Sequence, residues 1–101
     1  MAAKLVLTSD AKNDFEMAYD WQEENEVPSG DKFEKAVQRS LKGIAANPLM
    51  HQKVFGNVRR GYVRNYSYVV IYEHISSDNS VIVYSIFHTS QDPAIWQQRV
   101  K

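Results

Sequence analysis

Downstream of Asp31, Phe33, Ala36, Val37, Ser40, Leu41, Ile44 and Ala45 recur at steps of three and four. That spacing draws one apolar stripe along a helix. Asp31 and Glu34 have the spacing of a capping box at its start, and Asn47-Pro48 stops it. Upstream, Ala11, Phe15, Ala18 and Gln22 follow one face of a helix from Asp10 to about Glu26, flanked by Met17, Tyr19 and Trp21. Ser9 and Asp10 are residue types that cap helices, and Val27-Pro28-Ser29-Gly30 breaks the chain before the second one. So short a break predicts an antiparallel helical hairpin.

The remaining runs alternate with the period of strands. Lys4–Thr8 is a short apolar run ahead of the first helix. Val54 to Arg64 reads as one strand interrupted at Gly56-Asn57, and Tyr66–Tyr72 as a second, rich in β-branched and aromatic types. Ser76–Asn79 is a turn, and Ser80 to Phe87 is the last strand. From Pro93 to Lys101, Ile95, Trp96 and Val100 suit a short terminal helix opened by proline at its first turn. The order β-α-α-β-β-β predicts an α+β fold, the hairpin packed on one face of an antiparallel sheet.

Composition narrows this only a little. The 101 residues predict a single domain, residues 1–101, and 44% hydrophobic content supports a folded core. Twelve basic and twelve acidic side chains cancel, so a charged partner must be met by a local patch. The chain contains no cysteine, which excludes disulfides and Cys-based zinc sites. No apolar run approaches the ~20 residues of a membrane helix, and the reading is a soluble, cytoplasmic protein without cofactor.

Chemistry-bearing residues are few. There is no glycine-rich phosphate loop, and a metal site would need folding to gather His51, His74 and His88. Lys53, Arg59, Arg60 and Arg64 form a basic cluster. On a strand, Arg60 and Arg64 would share a face with Arg59 opposite. Such a pair suits a phosphate or an acidic partner; it equally suits a sheet edge protected by charge. Tyr66, Tyr68, Val70 and Tyr72 also share a face, where tyrosines either stack on a ligand or pack half-buried with wet hydroxyls. Trp21 and Trp96 read as anchors for packing or for a partner. His88, alternating with Ile82, Tyr84 and Ile86, is either an acid–base group or a structural strand end.

Taken in order, these residues resemble the RelE/ParE superfamily of toxins from type II toxin–antitoxin systems. The likeness runs through Phe15…Tyr19-Asp20-Trp21, Gly30-Asp31-Lys32-Phe33 and Ile44-Ala45-Ala46-Asn47-Pro48. It continues through Val58-Arg59-Arg60, Arg64–Tyr72 and the closing His88-Thr89-Ser90-Gln91-Asp92-Pro93-Ala94-Ile95-Trp96. The resemblance implies the β-α-α-β-β-β fold and a cognate antitoxin in a hetero-oligomer. It implies one of two actions: inhibition of DNA gyrase by binding, as in ParE-like members, or ribosome-dependent cleavage of mRNA, as in RelE-like ones. For cleavage the candidates are His88 for proton transfer and Arg60 or Arg64 at the phosphate. Gln91 stands where the family usually carries arginine, and an amide does not stabilise a developing phosphorane charge as a cation does. The ParE-like reading is therefore favoured. Its expected partner surface is Arg59, Arg60, Arg64, Tyr66, Tyr68, Trp21 and Trp96.

A cysteine-free domain with scattered histidines should unfold cooperatively, with a Tm unchanged by dithiothreitol or by a chelator. A chelator-induced drop in Tm would revive a histidine metal site.

Overall fold

Thr8 ends the first apolar run and starts the first helix: its Oγ1 accepts the Ala11 N–H at 3.1 Å. In the computed structural model, which describes residues 2–25 and 28–100, β1 is Lys4–Leu7 and α1 is Ser9–Glu23. The cap therefore falls on Thr8, ahead of the expected Ser9-Asp10, where its hydroxyl satisfies an orphan donor of the first turn. Glu26 and Val27, in the expected helix end and break, lie outside the described residues.

The second helix, α2 (Gly30–Ala46), follows its stripe closely: Phe33, Ala36, Val37, Ile44 and Ala45 are buried, and Asn47 caps its end. Its expected capping box does not form. Ser29 is the N-cap residue and makes no side-chain bond there. Instead the Gly30 N–H donates to Glu23 Oε2 of α1 at 2.7 Å, and Asp31 accepts the Tyr19 hydroxyl at 2.8 Å. The neighbouring helix thus supplies the cap, and a Cβ at position 30 would sit 2.8 Å from both Glu23 and Tyr19. The bond to Asp31 pushes the Tyr19 phenol up to about 12.

The expected single strand Val54–Arg64 is a hairpin, β2 (Lys53–Phe55) and β3 (Val58–Val63), turned at Gly56 with φ of 56°. β4 spans Tyr68–Ile75. Tyr66 and Ser67, expected within it, belong to a turn where Asn65 adopts φ of 71°. β5 spans Ser80–His88, and the sheet order is β1-β5-β4-β3-β2. Strands β2 to β5 pair antiparallel, but β1 joins β5 in parallel, with Lys4 opposite Ser80 and Leu7 opposite Val83. The sheet is mixed where an antiparallel one was expected. A four-residue apolar run carries no direction of its own; the bonds from Lys4 N–H to Asn79 O and Thr8 N–H to Val83 O set it.

Two apolar layers flank the sheet. The helical hairpin covers Val63, Val70, Tyr72, Val81, Val83 and Ile86. The other face, with Val58, Val69, Ile71 and Phe87, is covered by Trp96 from the four-residue α3 (Ala94–Gln97). Pro93 is the N-cap residue of α3 rather than part of its first turn, and a 3-10 turn follows at Gln98–Val100. No described helix is long and apolar enough to cross a membrane.

At the centre of the hairpin face, the fully buried Phe33 ring stacks on Phe15 at 6.0 Å. Tyr66 and Tyr68 meet it edge-on, each at 5.1 Å. Phe33→Ala should therefore lower unfolding free energy by about 3–5 kcal/mol in urea titration. Lys32→Ala, exposed beside it, should stay within about 0.5 kcal/mol.

Candidate functional site

A bulge in β5 decides which way His88 faces. Ile71 pairs with Ser85 but Tyr72 pairs with Val83, which leaves Tyr84 as an extra residue. The alternation expected to align His88 with Ile82, Tyr84 and Ile86 therefore breaks. Tyr84 packs in the layer away from the helices, while Ile86 joins the hairpin-side core and His88 follows it. There the imidazole meets the Tyr68 ring edge-on, with centroids 4.9 Å apart. Burial raises the pKa of the Tyr68 phenol above its ordinary value.

Side chains close the turn after β5. His88 Nδ1 accepts the Ser90 N–H at 3.1 Å and lies 2.7 Å from Ser90 Oγ. The neutral ring must then carry its proton on Nε2. Gln91 Oε1 accepts the His88 N–H at 3.1 Å, and the Gln91 N–H donates to His88 O at 3.0 Å. Gln91 is thus a brace for this turn. The Thr89 N–H donates to Ser67 O at 2.9 Å, tying it to the β3–β4 turn that carries Arg64. Between this end of the sheet and α1 lies a cleft of about 390 Å³, with Met17 and Trp21 among its lining residues.

The arginines do not form one patch. Arg59 points to the helix side, where Nη1 donates to Leu49 O at 3.2 Å and His51 O at 2.7 Å. It holds the loop between α2 and β2. Arg60 projects from the opposite face beside Tyr62, its guanidinium carbon 5.5 Å from the ring centroid and Nη2 donating to the phenol at 3.1 Å. Arg64 lies past the end of β3, exposed in the turn, so it no longer shares a strand face with Arg60. The candidate cleavage set is correspondingly divided: the sheet separates His88 from Arg60, and only Arg64 sits at the same end as His88.

The aromatic candidates divide too. Trp21 is 62% exposed, whereas Trp96 is 5% exposed and its indole belongs to the core under α3. Trp96 is therefore corrected from surface anchor to packing residue. Tyr66 and Tyr68 pack on Phe33, and Tyr72 is buried with its hydroxyl donating to Pro48 O at 2.7 Å. His74 and His88 occupy opposite ends of the β4–β5 pair, and no group of three potential metal ligands occurs among the described residues.

Sequence reasoning missed Asp14 and Arg99. Asp14 Oδ2 accepts from Arg99 Nη1 at 2.6 Å, Ser85 Oγ at 2.8 Å and the Ile86 N–H at 3.1 Å. Arg99 Nη2 donates to Oδ1 at 3.2 Å. The hydrogen bond to Asp14 raises the Arg99 pKa against its own desolvation. These partners are 71 to 85 positions apart, and no local spacing signals them.

The architecture is that of the RelE/ParE toxins. A chain of the chromosomal ParDE toxin–antitoxin system of P. aeruginosa superposes with a TM-score of 0.73 at 15% identity, covering 86% of this chain and 96% of that one. A chain of the RelBE toxin–antitoxin complex of Mycobacterium tuberculosis gives 0.63 at 13% identity, covering 87% and 99%. A mutant of the E. coli toxin RelE in the free state gives 0.68 at 14%, covering 99% and 96%. No curated protein is significantly similar in sequence. The family profile for the ParE toxin of the type II toxin–antitoxin system parDE matches residues 5–93. The chain belongs to the ParE toxin family.

The loop that Arg59 holds gives a pH dependence. Burial, then the Arg59 charge, lowers the His51 pKa from the ordinary 6.5. Between that lowered value and 6.5 the unfolded chain binds more protons than the folded one, so stability falls as pH drops through this window. His51→Gln should flatten the slope of Tm against pH below 6.5. An unchanged slope would assign it to other groups.

Proposed function

We infer that this ParE-family toxin acts by binding and inhibiting DNA gyrase, and that a cognate antitoxin neutralises it in a toxin–antitoxin complex. The observation that carries the reading is the division of the candidate cleavage set. Cleavage of RNA needs a proton-transfer group and a cation converging on one phosphate. His88 and Arg60 project from opposite faces of the sheet, Arg64 is exposed in the β3–β4 turn and makes no hydrogen bond to His88 among the described residues, and Gln91 braces a turn in place of a cation. A toxin that binds its target needs no such convergence. The fold serves both actions in its superfamily, so the side chains must discriminate. The antitoxin part of the reading is supported by the two relatives described as a toxin–antitoxin system and complex.

The purified protein should inhibit DNA supercoiling by gyrase and leave ribosome-bound message intact. His88→Gln should not change either result. Cleavage of ribosome-bound message by wild type, reduced about 100-fold or more by His88→Gln, would make the protein an endoribonuclease instead.

A further inference from the structure

Lys32, Lys35, Arg39 and Lys42 are all exposed along α2, at steps of three, four and three. That spacing sets them on one face, opposite the buried stripe that holds Phe33, Val37 and Ile44. From first to last the row runs about 15 Å along the helix axis. Arg64 extends it. Ser40 Oγ donates to Tyr62 O at 2.8 Å, and the Phe33 and Tyr66 rings meet at 5.1 Å, so the exposed Arg64 falls alongside the first half of α2.

A helix face that only has to be wet mixes its charges, because opposite signs three or four positions apart attract. This row does the reverse: Lys32 and Lys35, Lys35 and Arg39, and Arg39 and Lys42 are like-charged neighbours. Asp31 is the acidic residue among the outward positions, and its carboxylate accepts the Tyr19 hydroxyl of α1. The ion pairs found among the described residues belong to Arg99. The row therefore repels itself in the free protein, and an external polyanion relieves that repulsion. The charges of the whole chain cancel, so other faces carry the opposite sign. On α1, Glu16, Asp20, Glu23 and Glu24 are exposed, and they turn a polyanion away from that side.

The outward positions of α2 also limit what the polyanion can be. Besides the cations they hold Asp31, Gln38, Gly43 and Ala46, none of them aromatic or large and apolar. A protein interface needs apolar or aromatic anchors at its centre, and single-stranded nucleic acid needs aromatic faces on which its bases stack. An A-form RNA duplex keeps its major groove too deep and narrow for side chains. B-form DNA asks for neither anchor nor stacking face. Its phosphates are met by cations alone, and its major groove, roughly 12 Å wide, admits a helix. We propose that the outward face of α2 binds the phosphate backbone of double-stranded DNA, with Lys32, Lys35, Arg39 and Lys42 on the phosphates and Arg64 at the margin. The contact responds to charge and not to base sequence. It goes beyond the gyrase reading, because it needs no gyrase.

The test is fluorescence anisotropy of a short, dye-labelled DNA duplex of random sequence, titrated with the full chain. With four phosphates neutralised, log affinity should fall against log salt with a slope of about −4, a loss of about 100-fold between about 50 and 200 mM salt. Lys35→Gln/Arg39→Gln should make that slope shallower by about 2 and weaken binding about tenfold or more at the lower salt. Its Tm should not drop, since the removed side chains repel their neighbours. Lys35→Arg/Arg39→Lys keeps both charges and should bind as wild type does. Lys12→Gln, a cation on the acidic helix, should change nothing. A slope that survives Lys35→Gln/Arg39→Gln would overturn the proposal, as would equal loss in the charge-keeping variant or no duplex binding at the lower salt. Tighter binding of a single-stranded RNA of the same length, lost in Lys35→Gln/Arg39→Gln, would overturn the DNA assignment and give the row to RNA. Since gyrase is absent from the titration, each of these failures leaves the supercoiling test above to be decided separately.

Discussion

The carboxylate of Asp14 is the point on which the arrangement depends. A bulge in an antiparallel ladder frees backbone groups that must find another partner. Here the Ile86 N–H finds Asp14, and the adjacent Ser85 hydroxyl and the Arg99 fork join it. One side chain of α1 therefore holds the β5 bulge and the 3-10 turn after α3 together. Arg99 also donates to Tyr84 O, the carbonyl of the extra residue itself. This half-buried charge pair is strong because its geometry is bidentate and its carboxylate also accepts from Ser85 and Ile86. The bulge in turn moves His88 onto the hairpin side, so Asp14, itself in the cleft lining, decides which polar groups stand beside it.

How much of this was legible in the sequence follows from which interactions are local. The α2 stripe from Phe33 to Ala45 was readable because a helix buries residues at fixed short spacing; five of its positions are buried, and Ser40 and Leu41 are half-buried. The Ser76–Asn79 turn and the last strand were readable for similar reasons. The capping box failed because the helix begins at Gly30, ahead of Asp31, whose carboxylate accepts the Tyr19 hydroxyl instead. The face of His88 failed because one inserted residue inverts every assignment after it. Trp96 and Trp21 look equivalent as isolated aromatics. Only the second layer of the sheet, assembled from β3, β4 and β5, shows that one is core and the other surface.

The same comparison separates family membership from mechanism. Motif order from Phe15 to Trp96 carried the superfamily resemblance, and the fold agrees with it. Target choice depends on where a handful of polar groups point, and strand parity alone placed Arg60 and Arg64 together when the strand ends between them. Arg59, the third of that cluster, is engaged with two carbonyls of the loop before β2. Counting cations along a sequence overstates the charge available to a partner whenever backbone carbonyls claim them first.

The closure of the sheet also bears on how the protein is made. Strands β2 to β5 pair with their sequence neighbours, but β1 must wait for β5, and Asp14 waits 85 positions for Arg99. Contacts this distant carry a loop-closure penalty that local hairpins avoid, which slows their formation. A ribosome that has not yet added residue 99 holds a chain whose bulge is unbraced. Until residue 96 is also in place, Val58, Ile71 and Phe87 have no cover. During synthesis the chain thus presents apolar surface that its own last residues later cover, and the final shape exists only once they are added.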